Sequence, residues 1–372
     1  MYLQQLKLTQ FKNYTRQQLD FSARLNAFVG MNGMGKTNLL DAIYYLCMCK
    51  SHFGTNDRDV VQHEQEFLRL EGYFIKNDKR EKVVAKVIPR KKKEFERNDV
   101  AYSRLSEHIG LLPVVFIAPD DTYLAKEGSE ARRRFLDNTL SQLDREYLRQ
   151  LIIYNKVIKQ RNAALKNFAA ERYFDPALLL IYDDQLLEPA AVIHQKRMEW
   201  MAIFNPLFEE YYRVISGDRE AVGVRYRSQL TDADFKTLLD EVQEKDRILQ
   251  RSTVGIHRDD LVFTINDYPL KKFSSQGQLK SFVLALKLAQ YELLRRDKSI
   301  PPLLLLDDVF DKLDRSRVQQ LLQLILEKDF GQIFITDTHE SRLAEIIDGF
   351  GADYKVFKVE NGVASNGLTS NE

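Results

Sequence analysis

The sequence predicts an α/β protein in which a P-loop domain is split by an inserted, mostly helical lobe. Three observations carry this reading. A glycine-rich loop, GMNGMGKT at 30–37, follows a strand-like LNAFVG and precedes a helical pattern. A four-leucine run ending in two aspartates, LLLLDD at 303–308, reads as a buried parallel strand. Between about 121 and 250 strand patterns thin out and helical ones dominate. The expected organisation is therefore a discontinuous lobe, 1–120 plus 251–372, with a helical insertion at 121–250.

The elements follow in order. Residues 2–8 (YLQQLKL) alternate like a half-buried strand, and 25–30 form a second strand ending in glycine. Residues 36–50 read as a helix with Leu39, Leu40, Ile43, Tyr44 and Cys47 on one face. Strand-like runs follow at 67–75, 82–88 and 113–119. The helical block lacks the sustained heptads of an extended coiled coil. Strand pattern returns with DLVFTIND (260–267). It is followed by a helix at 278–296, the leucine strand, a helix at 315–327 and the strand GQIFIT. The last residues, ASNGLTSNE, predict a mobile tail.

Composition limits the function classes. The 372 residues are 44% hydrophobic and 29% charged, ordinary for a globular protein. A net charge of +1 excludes a generally basic nucleic-acid coat, so any such contact must come from a local patch. The only cysteines, Cys47 and Cys49, sit two apart on one predicted helix, so they point in different directions, and a metal site would need further ligands nearby. They read as buried, reduced thiols. The first residues lack the apolar region of a signal peptide, and no apolar run approaches the ~20 residues needed to span a bilayer. Together these point to a cytoplasmic protein with no membrane contact.

The P-loop carries the first chemistry. Gly30, Gly33 and Gly35 let backbone N–H groups close around phosphates. Lys36 offers a point charge to the β- and γ-phosphates, and the Thr37 hydroxyl can ligate magnesium. The helix N-terminus adds its partial positive charge. The leucine strand ends at the sheet edge where the P-loop also lies. Asp307 would hold magnesium there, and Asp308 would orient and deprotonate an attacking water.

A second phosphate-reading helix start, SSQGQ at 274–278, finds no phosphate left in the same chain. It can serve a nucleotide held by another copy, with Ser275 and the Gly277 amide at the γ-phosphate. A plain serine N-cap on the helix that follows is the alternative. Both can hold, because cap geometry is what turns the amides outward.

Together SSQGQ, LLLLDD and KLD resemble the ABC-type ATPase heads of the SMC group, and within it the RecF family. The resemblance runs nearly the whole chain: FKNY (11–14), GMNGMGKTNLLDAIYYL (30–46), VVFIAPDD (114–121), ARRRFLD (131–137), YNKVIKQRNAALK (154–166) and GIHRDDL (255–261) carry it with the motifs above. It implies an ABC-type P-loop ATPase head with mixed and parallel sheets, binding ATP and Mg2+. Gly30, Met31, Asn32, Gly33, Met34, Gly35, Lys36, Thr37 and Asn38 match the nucleotide loop, and Lys12 would reach phosphate. Ser275, Gln276, Gly277 and Gln278 match the signature that acts in trans. Asp311, Leu313 and Asp314 match the D-loop. The switch is Asp337 or His339, depending on where its strand ends. The glutamine loop has no glutamine, leaving Asp120 or Asp121 in its place.

The resemblance further implies a DNA repair and recombination mediator that dimerises on ATP and binds duplex and gapped DNA without sequence preference. It would help RecO and RecR load recombinase, support replication-fork restart and the SOS response, and hydrolyse ATP slowly with stimulation by DNA. Three basic groups are candidates for phosphate-backbone contact. One is Lys91, Lys92 and Lys93 with Arg90 and Arg97; the second is Arg132, Arg133 and Arg134; the third is Lys156, Lys159 and Arg161. HRDDLVFTIN (257–266) imitates a kinase catalytic loop, but its companion motifs are missing, and it reads as the point where the chain re-enters the ATPase lobe. Among the rivals, an SMC-type tether would need a far longer coiled coil, and a nuclease with a Toprim domain would need more chain after Asp308. A transporter ATPase would lack so long a helical insertion. An ATP-bound DNA scaffold with incidental hydrolysis is the remaining alternative.

Overall fold

The computed structural model describes residues 1–54, 56–309, 315–328, 330–338 and 353–369. The chain forms two compact units. The first takes Met1–Asp121, Val214–Gly217 and Lys280–Glu372, and the second takes Thr122–Arg213 and Asp218–Leu279.

The first unit begins with β1 (Tyr2–Phe11), β2 (Tyr14–Asp20), β3 (Leu25–Val29) and α1 (Lys36–Met48). Next come α2 (Asp57–Val60), β4 (Leu68–Lys76), β5 (Lys79–Val87), β6 (Glu94–Arg97), β7 (Val100–Ala101) and β8 (Val114–Ile117). The second unit holds α3 (Tyr123–Lys126), α4 (Ser129–Leu143), α5 (Arg145–Glu171), most of α6 (Pro176–Ser216), β9 (Val222–Arg227), α7 (Phe235–Leu249), β10 (Asp260–Ile265), β11 (Tyr268–Pro269) and α8 (Leu270–Phe273). Then come α9 (Gln276–Lys298), β12 (Leu303–Leu306), α10 (Arg315–Glu327), β13 (Ile333–Asp337), β14 (Tyr354–Glu360) and β15 (Val363–Thr369).

Among the described residues, two sheets build the first unit. One is antiparallel, ordered β2-β1-β4-β5-β6-β7, and β4 alternates between buried and partly exposed residues as a one-faced sheet requires. The other is ordered β15-β14-β3-β13-β12-β8, parallel except for β15. β3 and β12 are buried at every position, which is why the leucine run is continuous rather than alternating. The core between the sheets is filled from α1 (Leu39, Leu40, Ile43), from the antiparallel sheet (Leu6, Leu70, Phe74) and from the parallel one (Phe28, Phe334, Phe357). Cys47 and Cys49 are buried free thiols, and burial pushes the Cys49 thiol up to about 12.

Two expectations need correcting. Residues 364–369 of the expected tail are strand: β15 pairs with β14 across a two-residue turn, Asn361-Gly362, whose φ values of 48° and 75° are both positive. The second unit also carries a three-stranded sheet, β11-β10-β9, so it is not purely helical. β10 pairs with β9 from Asp260 opposite Arg227 to Ile265 opposite Val222. That ladder keeps both strands in one unit. The lobe therefore runs to Leu279 instead of ending at 250, and GIHRDDL lies inside it.

Buried charge organises the second unit. Arg161 bonds Asp183 at 2.5 Å and Asp246 at 2.6 Å, and Arg197 bonds Asp259 at 2.6 Å and Asp137 at 2.8 Å. Desolvation raises the carboxyls of Asp183 and Asp259 above the usual range, and the neighbouring Arg161 and Arg197 pull against that rise. Among the described residues, no helix is long and apolar enough to cross a membrane.

Candidate nucleotide-binding site

The site sits where parallel strands end. Gly30 follows β3, and its N–H reaches the Asp337 carbonyl at the end of β13, 3.4 Å away. The loop then turns back to start α1. Gly33 and Gly35 adopt φ of 80° and 112°, a region that L side chains rarely enter. Gly30 has a different reason to be glycine: a Cβ there would lie 2.2 Å from the Val359 carbonyl oxygen.

Outside groups brace the loop. Asn13 donates to the Met34 carbonyl at 3.0 Å and accepts from the Asn38 amide at 2.8 Å. The Tyr14 hydroxyl donates to the Gly35 carbonyl at 3.1 Å, and the Gly362 N–H donates to the Met34 carbonyl at 3.1 Å. The FKNY stretch and the β14–β15 turn thus hold the loop from behind. Neither function was visible in the sequence, although FKNY itself was. Met31 and Asn32 are exposed at the loop's outer face.

The charged residues converge. Lys36 is buried and its Nζ donates to the carbonyls of Gly30 (2.7 Å) and Met31 (3.2 Å). The Thr37 hydroxyl lies 2.9 and 3.0 Å from the two Asp307 carboxylate oxygens. Thr336, on β13, donates to Asp307 at 2.8 Å and accepts from the Asp308 N–H at 2.9 Å. Asp308 has φ of 41°, the left-handed region, which costs a non-glycine residue about 1 kcal/mol or more. That kink follows the strand end and leaves an Asp308 carboxylate oxygen 3.4 Å from the Thr336 hydroxyl that also bonds Asp307. Burial raises the Asp307 carboxyl to about 6, against the pull of the Thr336 and Thr37 hydroxyls, and the nearby Asp308 charge raises it further.

These donors fit magnesium. A hydroxyl and a carboxylate are hard oxygen ligands, and magnesium commonly takes one or two such groups with phosphates and waters completing its shell. A buried carboxylate that is costly to ionise is suited to a cation. Among the described residues there is no cluster of three or more acidic, His or Cys side chains that would hold a metal without such help.

Several expected residues stand differently. Lys12 is engaged by the buried Asp41, 2.7 Å away, so it would have to leave that partner to reach phosphate. Asp121 forms a buried ion pair with Lys287 at 2.8 Å and accepts from the Ala118 N–H. Asp120 is exposed. Asp337 is buried at the end of β13. His339, Asp311, Leu313 and Asp314 lie outside the described residues.

The signature stretch starts α9. Ser275 Oγ accepts from the Gln278 N–H at 3.2 Å, and Gln278 Oε1 accepts from the Ser275 N–H at 2.7 Å. This reciprocal pair is a capping box. Ser275 and Gln276 are exposed, and Gly277 and Gln278 are partly so.

The basic clusters divide: Arg90, Lys91, Lys92, Arg134, Lys156 and Lys159 are exposed, and the other members are held by partners inside the protein. Arg132 makes a two-point pair with Asp260 and donates to the carbonyls of Leu124 and Glu127. Arg133 donates to the Asp259 carbonyl, and of these three only Arg134 is exposed, beside Glu130. Lys93 is held by Asp57 and the Cys49 carbonyl, and Arg97 by Glu81. Arg161 is fully buried. Sequence clustering counts cations but not their partners, so these three groups looked freer than they are. Lys91 and Lys92 remain exposed.

Comparison with known proteins agrees with this geometry. A family model described as RecF/RecN/SMC N terminal domain matches residues 2–365. The DNA replication and repair protein RecF of Flavobacterium johnsoniae is 45% identical over 359 residues, spanning 96% of this chain and 100% of that protein. Its counterpart in Bacteroides thetaiotaomicron is 44% identical over 364 residues, 98% of each chain. A solved structure of the recombination mediator protein RecF-ATP in RecFOR pathway matches with a TM-score of 0.89 at 28% identity, across 99% of this chain and 98% of that one. An Smc head bound to the C-winged helix domain of ScpA shares the fold, with a TM-score of 0.57 at 17% identity over 99% of this chain and 98% of that one. The chain belongs to the RecF family of DNA replication and repair proteins.

Proposed function

We propose that this chain is a cytoplasmic, ATP-dependent DNA clamp whose slow hydrolysis times release from DNA. The observation that carries the reading is the contact of Thr37 with Asp307, two motif residues 270 positions apart in sequence. It joins a phosphate loop to an acidic strand end in the arrangement that nucleotide hydrolysis needs.

Each residue has a task. Lys36 would exchange its loop carbonyls for phosphate oxygens. Thr37 and Asp307 would hold magnesium, which supplies charge neutralisation at the β- and γ-phosphates when bound. Asp308, beyond the kinked strand end, would orient and deprotonate the attacking water. Ser275 and the amides of Gln276 and Gly277 would read the γ-phosphate of a second copy, closing a head-to-tail homodimer. The D-loop residues Asp311, Leu313 and Asp314 and the switch residue, Asp337 or His339, would complete that site.

DNA would be met through phosphates, by exposed lysines such as Lys91 and Lys92, without base reading. Duplex and gapped DNA would stimulate hydrolysis. With RecO and RecR the clamp would help load recombinase, and so serve fork restart and the SOS response.

Solution mass tests the clamp. Light scattering is run without nucleotide and with Mg-ATP, on wild type and Ser275→Arg. Wild type is expected to become a dimer with ATP, while Ser275→Arg binds ATP and stays a monomer. A Ser275→Arg chain that dimerises like wild type would make SSQGQ only a helix cap and end the trans mechanism.

A further inference from the structure

The capping box at the start of α9 is not self-contained. The Gln278 side chain uses its oxygen on the Ser275 N–H and its nitrogen on Glu220, donating to Oε1 at 2.9 Å. The other Glu220 oxygen accepts from the Tyr212 hydroxyl at 3.1 Å. Tyr212 is buried near the end of α6. The backbone beside Glu220 is also pinned: the Ala221 N–H donates to the Asn266 side chain at 3.0 Å, and the Asn266 N–H donates to the Ala221 carbonyl at 2.7 Å. A fixed tyrosine and a fixed backbone therefore present one carboxylate to the signature glutamine.

That carboxylate sets which way the amide points. Flipping Gln278 would set its NH2 against the Ser275 N–H and its oxygen against the Glu220 carboxylate, two repulsions at once. With the amide held, the Ser275 N–H is satisfied by Gln278. Ser275 Oγ accepts from the Gln278 N–H, so its own proton remains to be donated outward. The Gln276 and Gly277 N–H groups are left as first-turn donors of the helix. Removing Glu220 frees a long, partly exposed side chain, and the box then has to be ordered at the moment of binding.

We infer that Glu220, oriented by Tyr212, is a positioning residue that presets the Gln278–Ser275 capping box for phosphate recognition by the signature motif. The inference rests on the trans reading above. Loss of one charge-assisted hydrogen bond of this kind corresponds to about a tenfold change in an equilibrium constant. Two signatures close one dimer, so the dimer dissociation constant is expected to rise about a hundredfold.

The test compares wild type, Glu220→Ala, Glu220→Gln and Tyr212→Phe. Dimerisation with Mg-ATP is measured by light scattering over a protein titration, and ATP affinity of the monomer with a fluorescent nucleotide. Glu220 lines a surface pocket of about 390 Å³, so truncating it seals no void. Glu220→Ala is expected to need far more protein to dimerise while binding ATP as tightly as wild type. Its turnover should fall at low protein concentration and recover at high concentration, because what is lost is assembly and not chemistry. Glu220→Gln keeps an oxygen acceptor for Gln278 and is expected to return to within about threefold of wild type. Tyr212→Phe should fall between the two.

Equal dimerisation by Glu220→Ala and wild type would overturn the inference. So would a Glu220→Gln chain as weak as Glu220→Ala, since the acceptor would then not matter. A wild type that stays monomeric on ATP would instead refute the clamp itself.

Discussion

Asp307→Asn is expected to make the ligand-free protein more stable at neutral pH and to remove most of the stabilisation that Mg-ATP gives. Burial raises the Asp307 carboxyl from 3.8 to about 6, so its ionised form is disfavoured in the folded state. The sign follows from linkage. With the folded pKa above the unfolded one, the folded state binds more protons between those values, and stability falls as pH rises through them. Well above pH 6 the full cost is about 3 kcal/mol at most, from a shift of about two pH units at 1.36 kcal/mol each. Asparagine avoids that cost. It also sets an NH2 donor where the Thr37 and Thr336 hydroxyls already donate, which offsets about 1 kcal/mol. The net gain is therefore about 1–2 kcal/mol, or roughly 2–8 °C in the melting of a unit this size. The ionisation cost falls to about half at pH 5 and to about 0.6 kcal/mol at pH 4, so with the offset of about 1 kcal/mol the net gain shrinks to about 0.6 kcal/mol at pH 5 and turns into a slight loss at pH 4. Scanning calorimetry at pH 4, 5 and 8, without nucleotide and with Mg-ATP, reads all of this. A variant less stable than wild type at pH 8 without ligand, or a gain equal at pH 4 and pH 8, would refute the account of a carboxylate held at a cost for a cation.

Two further outcomes are expected. Gly30→Ala places a methyl 2.2 Å from a backbone carbonyl oxygen that cannot swing away, and should cost about 3 kcal/mol in guanidinium unfolding; a loss below about 1 kcal/mol would show that the β14–β15 turn gives way. Lys91→Ala with Lys92→Ala should weaken DNA binding and reduce the slope of log affinity against log salt by about 2, while Arg161→Ala should leave that slope alone and cost about 3–5 kcal/mol of stability; a changed slope with Arg161→Ala would return that residue to the DNA surface.

The P-loop, the double-aspartate strand and the signature helix start were legible because each needs particular residue types at fixed spacing in one short stretch. The leucine strand was equally plain, since a strand covered on both faces has no polar side to interrupt it. The braces were not legible. Asn13 meets Met34 and Asn38 only after the sheets assemble, and nothing local marks Thr336 as the link between two carboxylates. One local signal went unread. Four hairpins turn on Asn followed by Asp or Gly, at 77–78, 98–99, 266–267 and 361–362, each with both φ values positive. Reading Asn361-Gly362 as such a turn would have placed residues 364–369 of the expected tail in β15. The same reading at Asn266-Asp267 would have announced a sheet in the lobe.

The arginines of the basic clusters that are held inside have a deeper reason. Arg132 of ARRRFLD pairs with the partly buried Asp260, and Arg161 of KQRNAALK with the buried Asp183 and Asp246, none of which is near its arginine in sequence. In the inserted lobe Arg132, Arg161 and Arg197 are committed to internal carboxylates, whereas the contacts at the nucleotide site can be exchanged. Lys36 rests on carbonyl oxygens, Thr37 rests on Asp307, and Ser275 rests on Gln278. Each resting partner has the polarity of what a nucleotide or its cation would supply there: an oxygen acceptor for the lysine, a donor for the carboxylate. Binding at such a site is an exchange of partners, so each new hydrogen bond contributes only its difference from the old one. Affinity must then come from what has no resting substitute of equal strength, namely the ionised Asp307 and the helix-start amides. Those two features are also what the Asp307→Asn and Glu220 variants perturb, one on each unit of the chain.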